Sequence, residues 1–135
     1  MQVVWQGAML HDIARLKNEE PHNEIGAIKA RDLVLHYFSD QSLADKVAGV
    51  VLAHRCDKEN APVSLEEKIV ATADAMSHFE SPFYLWFAAV SEKDMAAQLP
   101  SNLKKIEKDF QDKIFFKEEQ ERVRPYYEVF KKWCG

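Results

Sequence analysis

The sequence has few of the residues typical of a disulfide-rich or membrane-spanning protein. Its two cysteines, Cys56 and Cys134, are far apart and form no CxxC pair, so we expect reduced thiols rather than a disulfide framework. The longest strongly apolar run, residues 83–90, is far shorter than the ~20 residues that a membrane span requires. The opening residues also lack the basic stretch of a secretion signal. We therefore expect a cytoplasmic protein with no membrane partner.

The sequence also lacks a cluster of positive charge, because its 18 basic residues are dispersed. The formal net charge is -4, and basic residues alternate with acidic ones along the chain instead of forming a block. Nucleic-acid binding needs a basic surface that neutralises phosphates, so we expect no nucleic-acid partner. A small anionic substrate would instead need a local metal ion or an arginine.

Glycine is rare as well, with four residues in the chain, and several helix-capping patterns occur, which together favour an all-α fold. A chain of 135 residues suits one domain, 1–135, with a motif-bearing core at 3–79 and a C-terminal helical extension at 80–135. Apolar residues predict a first helix over 3–16 and a second over 26–38. The pairs Ser42–Asp45 and Ser64–Glu67 have capping-box spacing and predict the starts of the next two helices.

Polar residues in otherwise apolar segments are the main indication of chemistry. His11 and Asp12 interrupt the apolar opening segment. A buried carboxylate must be paired or bind a metal. For the dipeptide alone, a helix end exposed to solvent is the simpler explanation. His22, His54 and Asp74 lie in or beside the apolar faces of the following helices. Any one such histidine is more often a hydrogen-bonded core residue than a ligand. Together the five have the composition of a metal site inside a helical bundle.

Four segments resemble the HD superfamily of metal-dependent phosphohydrolases, whose pattern H…HD…H…H…D lies on a bundle of helices. They are GAMLHDIARL, HNEIGAIKARDLVLHYF, VAGVVLAHR and SLEEKIVATADAMSHF, all within residues 3–79. The resemblance implies an HD-domain-like helical bundle in which His11, Asp12 and Asp74 bind a divalent metal. For the members with two ions, it implies that Asp12 bridges both and that His22 and His54 hold the second. Mixed imidazole and carboxylate ligands favour Fe, Mn, Zn, Co or Ni, and Mg is a further candidate because it binds carboxylates.

One part of the family pattern is missing from the sequence. The family's first histidine lies on a helix before the HD pair, whereas the sequence begins ten residues before His11. We therefore expect an HD domain without its N-terminal helix, through truncation, a misplaced start or degeneration. We expect His36 and His78 at the surface or behind the ligands, and we do not expect either to replace the family's first histidine. The apolar opening helix is expected to be covered by a second copy in a homo-oligomer.

The expected reaction is hydrolysis of a phosphate ester in a small phosphorylated substrate, such as a nucleotide or dinucleotide. A divalent ion lowers the pKa of bound water to about 7, and two ions can hold the attacking and leaving oxygens. Asp12 and Arg55 are the candidate catalytic residues. Arg15, Lys17 and Arg55 are candidates for substrate binding, although ordinary solvated charges fit them equally well. The alternative is a non-catalytic HD domain that binds a nucleotide or a partner.

Overall fold

The computed structural model describes residues 1–92 and 94–135, and this part of the chain is 79% helical and contains no strand. Its seven α-helices are α1 (Gln2–Leu10), α2 (His22–Phe38), α3 (Gln41–Ala53), α4 (Leu65–Phe79), α5 (Phe83–Ala89), α6 (Met95–Lys108) and α7 (Lys117–Cys134). Two 3₁₀ turns, Ile13–Lys17 and Lys58–Asn60, and a π-helical turn, Asp109–Lys113, connect them. None of the described helices is both long and apolar enough to cross a membrane. The predicted all-α fold is confirmed.

The chain divides into two compact units, Met1–Ala71 and Thr72–Gly135. The core of the first unit consists of small and aliphatic side chains, and that of the second is rich in aromatic rings. Core residues of the first unit are Ala27, Ala30, Val34, Leu43, Ala44, Val47 and Val51. Core residues of the second unit are Ala75, Phe79, Tyr84, Ile106, Phe110, Ile114, Val123 and Tyr127. The two units are compact parts of the chain and do not test the number of domains. The single domain over 1–135 therefore stays a prediction.

Helices α1 and α3 approach each other closely because Gly7 has no side chain. A Cβ atom at position 7 would lie only 2.4 Å from Cγ1 of Val50 on α3. The close packing brings together the C-terminal ends of the two helices, where His11 and His54 are the C-cap residues. Their ring centroids are 5.1 Å apart. Packing of the Val50 side chain of α3 against the α1 backbone at Gly7 thus positions two of the candidate ligands.

The first helix is shorter than the sequence predicted. It ends at Leu10, and the backbone leaves the helical region at Asp12 (φ -107°, ψ 18°) before the 3₁₀ turn begins. The prediction of a helix over 3–16 is therefore wrong after position 10, and Leu16 is exposed. This break separates the HD pair from the end of α1 and places Asp12 between two elements.

Candidate metal centre

The four predicted ligands of the first unit meet around the carboxylate of Asp12. Its Oδ1 atom lies 3.5 Å from Nε2 of His22 and 3.7 Å from Nε2 of His54. Its Oδ2 atom lies 3.6 Å from Nε2 of His11. One carboxylate oxygen therefore faces two imidazoles, and the other oxygen faces the third.

The two imidazoles at the helix C-termini are held by backbone carbonyl groups of their own helices. Nδ1 of His11 donates to the carbonyl of Ala8 at 2.8 Å, and Nδ1 of His54 donates to that of Val51 at 2.6 Å. The last carbonyls of a helix have no partner within it, so they are available to these rings. A proton on Nδ1 leaves the lone pair on Nε2, which is the tautomer that binds a metal through Nε2.

The third imidazole, that of His22 at the start of α2, is oriented by the carboxylate of Glu20. Nδ1 of His22 lies 3.1 Å from Oε2 of Glu20, and the backbone N–H of His22 donates to the same oxygen at 2.9 Å. The backbone hydrogen bond, followed by the ring hydrogen bond, lowers the pKa of Glu20 below its ordinary value. Glu20 was not predicted from the sequence, where its one signal is its position two residues before a candidate ligand.

The site is buried on the histidine side and open at the carboxylate. The side chains of His22 and His54 are each 3% exposed, whereas that of Asp12 is 45% exposed. One ligand atom from each of these three residues lies within 4.8 Å of the others, so they could hold a metal ion. Solvent can therefore reach the site at Asp12.

The donor set fits a divalent transition metal. Imidazole nitrogens and a carboxylate oxygen, without thiolates, are common ligands of Zn, Fe, Mn, Co and Ni. An ion about 2.0–2.2 Å from each ligand atom can lie between atoms that are 3.5 to 3.7 Å apart. All three Nε2 atoms belong to rings whose Nδ1 is engaged elsewhere, as a metal site requires.

Asp74, the fifth predicted ligand, lies in the second unit and contacts two basic side chains. Its Oδ2 atom lies 3.2 Å from Nζ of Lys113, and its Oδ1 atom lies 3.6 Å from Nε2 of His78. Both of these residues also contact Asp109, at 3.5 Å from Nζ of Lys113 and 2.8 Å from Nδ1 of His78. The role of Asp74 as a metal ligand stays a prediction.

The predicted substrate-binding cations differ in their contacts. Nε of Arg15 lies 3.3 Å from Oδ1 of Asp12, and Nη1 of Arg15 lies 3.6 Å from Glu20. Nη1 of Arg55 lies 3.7 Å from the other oxygen of Glu20. Lys17 is exposed at the end of the turn that follows the HD pair. The structure thus brings both arginines to Glu20 beside the candidate ligands, and their roles in binding substrate stay predictions.

Comparison with known protein families matches the HD domain over residues 1–78. Comparison with curated proteins and with solved structures gives no match. The matched segment contains the HD pair, the two following candidate histidines and Asp74. Because the match extends over more than half of the sequence, this chain belongs to the HD domain family.

Proposed function

We propose that the chain is a metal-dependent phosphohydrolase that cleaves a phosphate ester of a small substrate, such as a nucleotide or dinucleotide. One observation carries the proposal: Oδ1 of Asp12 faces Nε2 of His22 and His54, while Oδ2 faces Nε2 of His11. Asp12, His22 and His54 would be able to hold a divalent metal. Membership in the HD domain family supports metal-dependent phosphohydrolysis as the general activity.

Asp12, His22 and His54 would hold one ion, and His11 with the second oxygen of Asp12 would contribute to another. When bound, a divalent metal supplies an activated water and stabilises the negative charge of the phosphoryl oxygens. The hydrogen bonds that the Nδ1–H groups donate keep the imidazoles in the required tautomer before any ion arrives.

The arginines supply the complementary charge for the substrate. A guanidinium group can donate two parallel hydrogen bonds to a phosphate, which fixes its orientation as well as its position. Arg15 and Arg55 lie beside Asp12 and Glu20, where the site is open to solvent. We propose that Arg55 acts on the reacting phosphate and that Arg15, Lys17 and Arg55 bind the phosphorylated substrate.

The test combines elemental analysis with hydrolysis assays on an aryl phosphate and a panel of nucleotides. We expect bound divalent metal and measurable hydrolysis in the wild-type chain. The substitution His54→Ala should lower metal affinity and hydrolysis by at least roughly 10–100-fold. Changes to residues that only hydrogen-bond to a metal ligand typically have an effect of this size. The matched control is His36→Ala, because His36 is an exposed histidine on α2. This variant should retain both properties.

The possible outcomes separate the competing hypotheses. Bound metal without turnover of any phosphate ester would contradict the enzymatic proposal and favour the non-catalytic HD module. Absence of metal from the wild-type chain would contradict the metal site itself. Unchanged metal affinity in the His54 variant would contradict the ligand assignment.

A further inference from the structure

We propose that Glu20 is a positioning residue of the metal centre that acts through His22. This inference rests on the proposed metal-dependent function. Both carboxylate oxygens of Glu20 lie close to Nδ1 of His22, at 3.2 Å and 3.1 Å. Nε2 of the same ring lies 3.5 Å from Oδ1 of Asp12. The buried imidazole of His22 therefore contacts Glu20 through Nδ1 and Asp12 through Nε2.

Loss of the Glu20 carboxylate would leave the ring of His22 without its acceptor. The ring is only 3% exposed, so water cannot easily replace the lost partner. A buried Nδ1–H group without an acceptor is unfavourable, and the other tautomer avoids this penalty. The other tautomer carries its proton on Nε2, which prevents Nε2 from binding a metal. Glu20 therefore selects the form of His22 that can be a ligand.

A purely structural role for Glu20 predicts a different pattern of effects. The side chain of Glu20 is 58% exposed, and its ion pairs with Arg15 and Arg55 have distances of 3.6 Å and 3.7 Å. Exposed ion pairs of this kind contribute little to stability. Replacement of Glu20 should therefore change the melting temperature slightly and the metal affinity strongly. Metal affinity in the absence of substrate is the measurement that separates the two roles.

The test measures Co²⁺ affinity by competition with a chromophoric chelator. We expect Glu20→Ala to weaken binding by roughly 10–100-fold, as carboxylates behind ligating histidines commonly do. Glu20→Gln should weaken it less, since the amide oxygen can still accept from Nδ1. The matched control is Glu19→Gln, because Glu19 pairs with Lys29 instead of a candidate ligand. Its affinity should equal that of the wild type.

A double-mutant cycle tests whether Glu20 acts through His22. In the His22→Ala background, Glu20→Ala should cause no further loss of Co²⁺ affinity. The inference would be overturned if Glu20→Ala lowered Co²⁺ affinity equally with and without His22, or if Glu20→Ala alone left the affinity unchanged. In either case, Co²⁺ binding by the wild-type chain would leave the proposed function standing. A wild-type chain that binds no Co²⁺ would overturn both. Circular dichroism of the metal-free variants checks folding, and Glu20→Gln decides the result if the alanine variant does not fold.

Discussion

Arg55 is the candidate site residue whose replacement most directly tests substrate binding. Its Nε atom lies 3.3 Å from Asp57 and its Nη1 atom 3.7 Å from Glu20, so the guanidinium is restrained at the edge of the site. A hydrogen bond to a charged group contributes about 1.5–3 kcal/mol. We therefore expect Arg55→Gln to lower kcat/KM for a phosphate ester by roughly tenfold to a hundredfold, with unchanged metal content.

The matched control for this prediction is Arg31→Gln. Arg31 pairs with Asp45 at 2.7 Å and contacts none of the candidate ligands in the described interactions. Steady-state kinetics of the two variants, with metal content measured on the same samples, makes the comparison. Equal values of kcat/KM in both variants and the wild type would show that Arg55 does not bind substrate.

Single residues also show how far the sequence could predict the site. The inward placement of His22 and His54 follows from helical spacing, and both are buried in the structure. The spacing could not predict that Asp12 faces both rings, because that geometry depends on the backbone break after α1. Glu20 was beyond prediction, because an acidic residue in a polar loop is ordinary until the fold brings it to a buried ring.

At the level of elements, the contact between α1 and α3 should be sensitive to one methyl group. Gly7→Ala places a Cβ within 2.4 Å of Val50, whose branched side chain cannot rotate away easily. We expect a loss of about 1–3 kcal/mol in the free energy of unfolding, as for other overpacked positions. Metal affinity should also fall, because the shift separates His11 from His54. Chemical denaturation and Co²⁺ titration measure the two effects.

Gly49→Ala provides the matched control on α3. Its Cβ would lie 3.2 Å from Oε1 of Glu67, and a small rotation of the carboxylate about Oε2, which accepts the capping hydrogen bonds, relieves this contact. Replacing glycine by alanine inside a helix generally stabilises it by about 0.5–1 kcal/mol. This variant should therefore be as stable as the wild type or more so. Similar losses in both variants would mean that the close packing at Gly7 is not the cause.

Helix starts were predicted with mixed success, for a local reason. The Ser64–Glu67 capping box is confirmed, because Glu67 N lies 3.2 Å from Ser64 Oγ and Ser64 N lies 2.9 Å from Glu67 Oε2. The Ser42–Asp45 box is wrong. Asp40 caps α3 instead by accepting from the N–H of Leu43 at 2.9 Å. Aspartate is as good a cap as serine, so spacing alone could not choose between them.

The buried face of α4 could not be predicted from the sequence. Leu65 and Ala73 are exposed, whereas the buried residues include Val70 and Ala75. Apolar residues occur on several sides of this helix, so periodicity does not identify the face that packs. The choice depends on the other elements of each compact unit, which the sequence pattern does not specify.

At the scale of the whole molecule, resistance to acid should depend on Asp109. This carboxylate is 1% exposed and contacts four groups. They are His78 Nδ1 at 2.8 Å, Tyr84 OH at 2.7 Å, Lys113 Nζ at 3.5 Å and Lys105 Nζ at 3.7 Å. Burial raises its pKa, but the hydrogen bond from His78 and the lysine charges outweigh burial and hold the pKa below its ordinary value of 3.8. The folded state therefore favours the ionised form.

The sign of the pH effect follows from this lowered pKa. As pH falls, the unfolded chain takes up the proton first, so the contribution of Asp109 to stability is complete above about pH 4 and is lost as pH falls through the folded pKa. We expect Asp109→Asn to lower the free energy of unfolding at pH 7 by about 1–3 kcal/mol, with a smaller difference below pH 4. The exposed Asp112→Asn on the same turn should change little. Denaturant unfolding at pH 7 and pH 3 measures the free energies of unfolding of the variants and the wild type. An equal difference between Asp109→Asn and the wild type at both pH values would contradict the prediction.

The helical class of the whole chain was predictable from composition and capping. The division of the chain after Ala71 was not predictable, because it falls inside the continuous helix α4.

An apolar groove of about 300 Å³ on the first unit is lined by residues that include Trp5, Met9, Tyr37 and Phe38. Most of these side chains are more than half exposed. They agree with the apolar opening helix expected from the sequence, and self-association through it stays a prediction.

The C-cap positions of His11 and His54 have an electrostatic consequence for the metal centre. The aligned peptide dipoles of a helix place about half a negative charge at its C-terminus, and α1 and α3 both end at these rings. The space between the rings therefore favours a cation even before the charge of Asp12 is counted. This field acts within the last turn of a helix, and each added residue rotates the next side chain by about 100°. Helix length, and not residue identity alone, thus determines whether these histidines can be ligands.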